Sequence, residues 1–372
     1  MATRKITTKK NKSVLTDSSL QFFRNYINNA SPVGFESWGQ KLWLNYLKPY
    51  VDSHYVDPYG TAVGVINADH PFRVVIEAHA DEISWFVNYI TADGLIYLKR
   101  NGGVDHQTAP ASRVLIHGKK GAVKAVFGWP AIHTRIGNSE QKEPTPRTDN
   151  LWLDCGARSK KEVTALGIHI GAVVTYQDGF DELAHGNYVG RAFDNRIGGF
   201  MIAEVARLLK ENKKKLPFGL YVVNAVQEEI GLRGAEMIAR RIKPHVAIVT
   251  DVTHDTTTPL ISKIIEGDVS TGKGPSLSYA PAVHNKLLAL VESVAEKKKI
   301  PVQWRALSRS TGTDTDSFAY SNDGCPSVLI SIPLRYMHTT VEMLHRDDIE
   351  QTIRLMYETL LTLTPKTNLN YL

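Results

Sequence analysis

Val222-Val223-Asn224-Ala225-Val226-Gln227-Glu228-Glu229-Ile230-Gly231-Leu232-Arg233-Gly234 carries two adjacent carboxylates directly behind an apolar run. A strand covered on both faces reads as a continuous hydrophobic run, so residues 220–226 predict a central strand of a sheet packed between helices. Glu228 and Glu229 then fall where that strand stops. Ligands of open α/β sheets bind beyond the carboxyl ends of strands, which makes this a place for chemistry. A solvated loop that happens to hold two acids is the structural alternative.

The neighbouring runs repeat the pattern. Residues 72–78 form a strong strand pattern that ends in His79-Ala80-Asp81-Glu82. Residues 246–250 lead to Asp251, and residues 327–332 exit through Pro333-Leu334-Arg335-Tyr336-Met337 to His338. Helical periodicity covers residues 18–30, 36–50, 196–211, 232–242, 285–298 and 345–363. Such alternation predicts an α/β fold with a helix-covered mixed sheet. Between residues 83 and 189 the texture changes to short β-like runs broken by Gly and Pro. This predicts an inserted small β-barrel of about a hundred residues. The expected organisation is a discontinuous main domain, 1–82 and 190–372, interrupted by the 83–189 barrel. Residues 141–147 read as a mobile surface loop inside the insert.

With 372 residues, the chain has room for one large domain and a smaller one. Only Cys155 and Cys325 are present, which argues for free thiols and a reducing compartment. No apolar run is long enough to cross a bilayer, and no signal-peptide pattern opens the chain. A cytoplasmic setting is expected. The net charge of +6 comes partly from a basic arm, residues 1–14, and from lysine triplets at 213–215 and 297–299 that close helical patterns. No basic stripe interleaved with aromatics accompanies them, so specific nucleic-acid binding is not expected.

The predicted strand ends thus supply His79, Asp81, Glu228, Glu229, Asp251 and His338. Asp194, in Gly190-Arg191-Ala192-Phe193-Asp194-Asn195-Arg196, precedes a helix. Each alone has a structural reading, the His as a satisfied core residue and the Asp as a helix cap. Together they are harder to dismiss, because crowded acids repel one another unless a cation relieves them. Imidazoles mixed with carboxylates, without thiolates, suit a catalytic Zn²⁺ or Co²⁺ site. The set suffices for two metals that share a bridging carboxylate.

Ala78-His79-Ala80-Asp81-Glu82-Ile83, Phe193-Asp194-Asn195-Arg196, the segment 226–235, Asp251-Val252-Thr253 and the segment 332–343 occur in the order seen in TET-type and glutamyl-type metallo-aminopeptidases. The chain resembles that family, some of whose relatives carry an endoglucanase label. The resemblance implies a zinc-exopeptidase-like catalytic domain with two divalent ions per subunit: Zn²⁺, with Co²⁺ or Mn²⁺ as alternatives. His79 and Asp251 would bind one ion, Glu229 and His338 the other, and Asp194 would bridge. Asp81 would orient His79, and Glu228 would be the general base. The substrates would be peptides with a free amino terminus, and the insert would serve a homo-oligomer, a dodecamer or a dimer. No membrane partner is implied.

Alternative readings are a metal-dependent deacylase, a glycan hydrolase of the same fold, or a non-catalytic scaffold. Glycosidases ordinarily use two carboxylates and no metal pair, so the His residues argue against the second. Asp314, in Gly312-Thr313-Asp314-Thr315-Asp316, reads as a helix start, with a pocket-shaping role as the alternative. Asn195 stands where many relatives carry a second Asp.

Overall fold

A computed structural model describes residues 13–135 and 144–372. The basic residues Arg4 to Lys12 and the start of the expected surface loop, Gln141 to Glu143, lie outside the described residues. Ser13 and Val14, the last residues of the expected arm, are anchored. Both donate to the Glu350 carboxylate, and the Val14 carbonyl accepts from Arg207.

Eight strands form the main sheet, in the order Ser53–Val56, Ala62–Ile66, Gly219–Ala225, Arg73–His79, Val246–His254, Ser327–Leu334, Ser276–Tyr279 and Gln303–Ala306. The middle four are parallel and almost wholly buried, as their unbroken apolar runs require. Register levels their ends: Ala225 pairs with His79, and Val249 pairs with Glu77, two residues before His79. Side chains at 79, 228, 229 and 251 therefore converge at one edge.

Helix Phe193–Glu211 crosses one face of the sheet and is buried along most of its length. At Gly198, a Cβ would lie 2.7 Å from that of Ala78, so only glycine admits this approach of helix to strand. Helices Asn285–Lys298 and Arg346–Thr362 also pack in the same hydrophobic core. No helix among the described residues is long and apolar enough to cross a membrane. Cys155 and Cys325 are free.

The insert closes into a barrel in the order Ser84–Ile90, Ile96–Asn101, Trp152–Asp154, Gly121–Gly128, Arg113–Gly118 and Val173–Tyr176. It has its own core, with Trp85, Ile96, Ile116, Phe127 and Leu153. The α/β fold with an inserted barrel agrees with the expectation from sequence. Two details differ. The strand expected at 246–250 continues to His254 because it pairs with Ser327–Leu334 all the way to His254 opposite Leu334, so Asp251 lies inside the strand rather than after it. The edge strands Ser276–Tyr279 and Gln303–Ala306 were not foreseen.

Asp255 ends the long strand and gathers the loop that follows. Its carboxylate accepts from the backbone N–H and hydroxyl of both Thr257 and Thr271 and from Nε of Arg335 at 2.8 Å. Burial alone would raise its pKa, but these donors hold it down to about 2. An unfolded Asp titrates near 3.9, so this carboxylate stabilises the native state above about pH 4, and the contribution is lost as pH falls toward 2. Asp255→Asn is expected to cost roughly 2–3 kcal/mol at pH 7. The deficit in urea-unfolding midpoint should shrink as both proteins are measured at falling pH; a pH-independent deficit would exclude the charge as its cause.

Candidate metal centre

The structure brings the seven sequence-predicted residues to one place. Asp194 stands between two imidazoles: its Oδ1 is 3.2 Å from Nε2 of His79, and its Oδ2 is 3.2 Å from Nε2 of His338. Asp251 and Glu228 each place an oxygen 3.8 Å from the His79 Nε2, and Glu229 places one 3.3 Å from the His338 Nε2. The donors form three overlapping groups: His79 with Asp251 and Glu229 with His338, which share Asp194, and a third of His79, Glu228 and Glu229. They open on a cavity of about 640 Å³ that is also lined by Thr253, His254, Glu266, Arg305 and Met337.

Asp194 reaches this position because helix Phe193–Glu211 begins irregularly. Ala192 has φ +58, and Asp194 and Asn195 depart from helical angles. Asp194 thus sits in a non-helical kink, with regular helical angles resuming at Arg196, as expected. Asn195 is fully buried; its amide donates to the Thr250 carbonyl at 2.8 Å, and its oxygen accepts from Gly198 N–H. An ionised carboxylate could not make the first of these bonds, which gives the amide at this position a local reason.

Asp81 does more than sit beside His79. Its Oδ1 is 3.4 Å from the His79 Nδ1, longer than a well-formed hydrogen bond but close enough to orient the ring. The same carboxylate accepts from the backbone N–H of Glu228 at 3.0 Å and of Glu229 at 3.1 Å. It holds both glutamates as one unit.

Sequence reasoning missed three supporting acids. Glu342, fully buried, accepts from the backbone N–H of Asp194 and of His338, and so links the shared carboxylate to one imidazole. Glu82 accepts from Ser31 N–H and Arg191, with Arg196 alongside, and joins the end of the first helix to the entrance of the Asp194 turn. Glu77 lies below His79 on the same strand, its carboxylate turned to Asp314. Glu342 was visible within the closing motif, but nothing in its spacing marked it. Asp314 does open helix Asp314–Ala319, as expected, but Thr313 is the residue that caps it.

Burial and crowding set the charge balance of the centre. Burial pushes Glu228 up to about 11, Asp251 up to about 7 and Glu77 up to about 8, and neighbouring acids add to each. Burial opposes a charged His338, yet Asp194 and Glu229 push it up to about 12, and the two imidazoles hold Asp194 well below the usual range. The Glu229 Oε1 is buried and meets the His338 Nε2 at 3.3 Å without a well-formed hydrogen bond. Such a donor set, imidazole N and carboxylate O atoms in overlapping groups, fits divalent cations of the Zn²⁺ type.

Residues 60–355 match the family model of the M42 glutamyl aminopeptidases. A lysyl aminopeptidase of Pyrococcus furiosus is 31% identical, with 93% of this chain and 97% of that one covered. Among solved structures, a TET aminopeptidase from a marine-sediment archaeon, Thaumarchaeota archaeon SCGC AB-539-E09, superposes with TM-score 0.89 at 30% identity, covering 94% and 98% of the two chains. PhTET1-12s, a dodecamer, follows with TM-score 0.82 at 25% identity over 94% and 100%. The fold is that of an aminopeptidase-like hydrolase, and its cluster of acids and imidazoles could hold metal ions. More narrowly, the chain belongs to the M42 family of aminopeptidases and is a peptide hydrolase.

Asp81→Asn would turn an acceptor into an NH₂ donor facing a backbone N–H. It is expected to leave the fold intact and to weaken Zn²⁺ binding 10- to 100-fold by calorimetric titration.

Proposed function

We propose that this chain is a dinuclear metal aminopeptidase, with Asp194 bridging, His79 and Asp251 at one ion, Glu229 and His338 at the other, and Glu228 as general base. The observation that carries this reading is Asp194, which presents one oxygen to each of two imidazoles. Zn²⁺, Co²⁺ or Mn²⁺ would suit the donors. When bound, two such ions supply a water of lowered pKa and a polarised substrate carbonyl.

The chain's own residues do the rest. Glu228 lies in the cavity wall beside both donor groups, and a cation there favours its carboxylate over the protonated acid. As carboxylate it takes a proton from the attacking water and then delivers it to the departing amine. Asp81 fixes the peptide from which Glu228 and Glu229 project, so base and ligand keep one spacing. The substrate's terminal ammonium is attracted by the cluster of carboxylates around Glu229, which supports exopeptidase over endopeptidase action. The 83–189 insert as an assembly domain, a homo-oligomer of dodecameric or dimeric size and a cytoplasmic setting belong to the same proposal. The dodecameric PhTET1-12s supports the larger assembly.

Hydrolysis of aminoacyl-nitroanilides should disappear with a chelator and return with Zn²⁺ or Co²⁺, while amino-acetylated peptides resist cleavage. Activity that survives complete metal removal would sink the reading. Glu228→Gln should retain two ions per chain and lose at least about 100-fold in kcat. Glu229→Gln should instead lose metal on dialysis. The reverse outcome would exchange the two roles.

A further inference from the structure

His79 and His338 are both oriented from behind, but by groups of different origin. Behind His79 lies Asp81, two residues further along the same chain end. Behind His338 lies the inserted barrel: its Nδ1 is 3.1 Å from the carbonyl oxygen of Gly103. A carbonyl oxygen can only accept, so in this contact Nδ1 carries a proton, and Nε2 is the atom that faces Asp194 and Glu229.

The barrel holds that carbonyl firmly. On one side of the loop, Asn101 ends strand Ile96–Asn101 and is buried; its amide donates to the Ser84 hydroxyl at 2.8 Å and to the Val33 carbonyl at 2.9 Å. The first bond lies within the barrel, and the second crosses to the segment after the first helix of the main domain. On the other side, Val104 is buried in the barrel core. Gly102 and Gly103 are pinned between two fixed points.

The contact is also tight. A Cβ on Gly103 would fall 2.8 Å from Cε1 and 2.9 Å from Nδ1 of the His338 ring. Real Cβ contacts do not come so close, so any side chain here must displace the imidazole or the loop. Glycine is required by the neighbouring ring.

We propose that Gly103 is a positioning residue for His338, and that the inserted barrel is thereby a structural part of the Glu229–His338 half of the centre. This rests on the dinuclear reading above. It assigns to the insert a role at the site beyond assembly. The prediction is asymmetric, since the His79–Asp251 half has its own support in Asp81 and receives nothing from this loop.

The test is a calorimetric and absorbance titration of metal-free protein with Co²⁺, which resolves the two ions and needs no turnover. In the wild type, two equivalents should bind. Gly103→Ala should weaken one equivalent 10- to 100-fold and leave the other within about twofold. In a His338→Ala background, which keeps only the first half, Gly103→Ala should have no further effect. That silence separates action through the ring from general damage to the fold. Lys124→Ala, at an exposed position of barrel strand Gly121–Gly128, should change neither affinity. Should Gly103→Ala fail to fold, Asn101→Ala loosens the loop without inserting atoms and should weaken the same single equivalent. Equal weakening of both equivalents, or none, in folded variants would overturn the proposal. Wild-type protein that binds fewer than two ions would instead overturn the dinuclear reading.

Discussion

Negative charge at the ends of the parallel strands is the constraint on which the rest of the molecule depends. Register alone gathers His79, Glu228, Glu229 and Asp251 at one edge, and the irregular start of a buried helix adds Asp194. Glu77, Asp314 and Glu342 are buried close by. Carboxylates at this density cannot all ionise in a medium of low polarity, and burial with neighbouring acids raises Glu228, Asp251 and Glu77. A domain could relieve it most cheaply with apolar residues. Keeping the acids makes sense where cations complete the structure, so the same arrangement that opposes folding of the bare chain favours metal binding.

A crowded centre also needs its geometry held, and the chain uses acids for that as well. Asp81 and Glu342 each accept from two backbone N–H groups at separate points of the site. Backbone donors suit this task because they neither ionise nor rotate. Each carboxylate also satisfies N–H groups that strands can no longer pair once they have ended. Positioning and hydrogen-bond satisfaction are here one interaction.

The sheet and most of the donor set were legible in the sequence because both depend on local pattern. Doubly covered strands need unbroken apolar runs, and the residues that follow those runs must emerge at one edge. Residues 220–226 and 72–78 therefore announced their strands and the sites behind them. Strands Ser276–Tyr279 and Gln303–Ala306 did not, since four residues carry little pattern and only pairing makes them strands. Glu77 reads as a charge lost within an apolar run, and Glu342 as one acid among many. The support of His338 by Gly103 joins residues 235 positions apart. No spacing rule reaches across an inserted domain.

Splitting one dipeptide between two halves of the centre is the finer consequence of the turn that precedes it. In a strand, Glu228 and Glu229 would point to opposite faces of the sheet, and one of them would be lost to the site. The chain instead leaves the strand through Gln227, whose φ of +58° is left-handed, and swings both side chains to the strand end. Asp81 then fixes the two N–H groups of the turned peptide. From there Glu228 reaches toward His79 and Glu229 toward His338, so neighbouring residues face opposite imidazoles. A left-handed residue without the freedom of glycine costs about 1 kcal/mol or more. The two hydrogen bonds to a charged acceptor are stronger than that cost. The conformation is thus held by Asp81, and the two glutamates can differ in surroundings while staying adjacent in sequence.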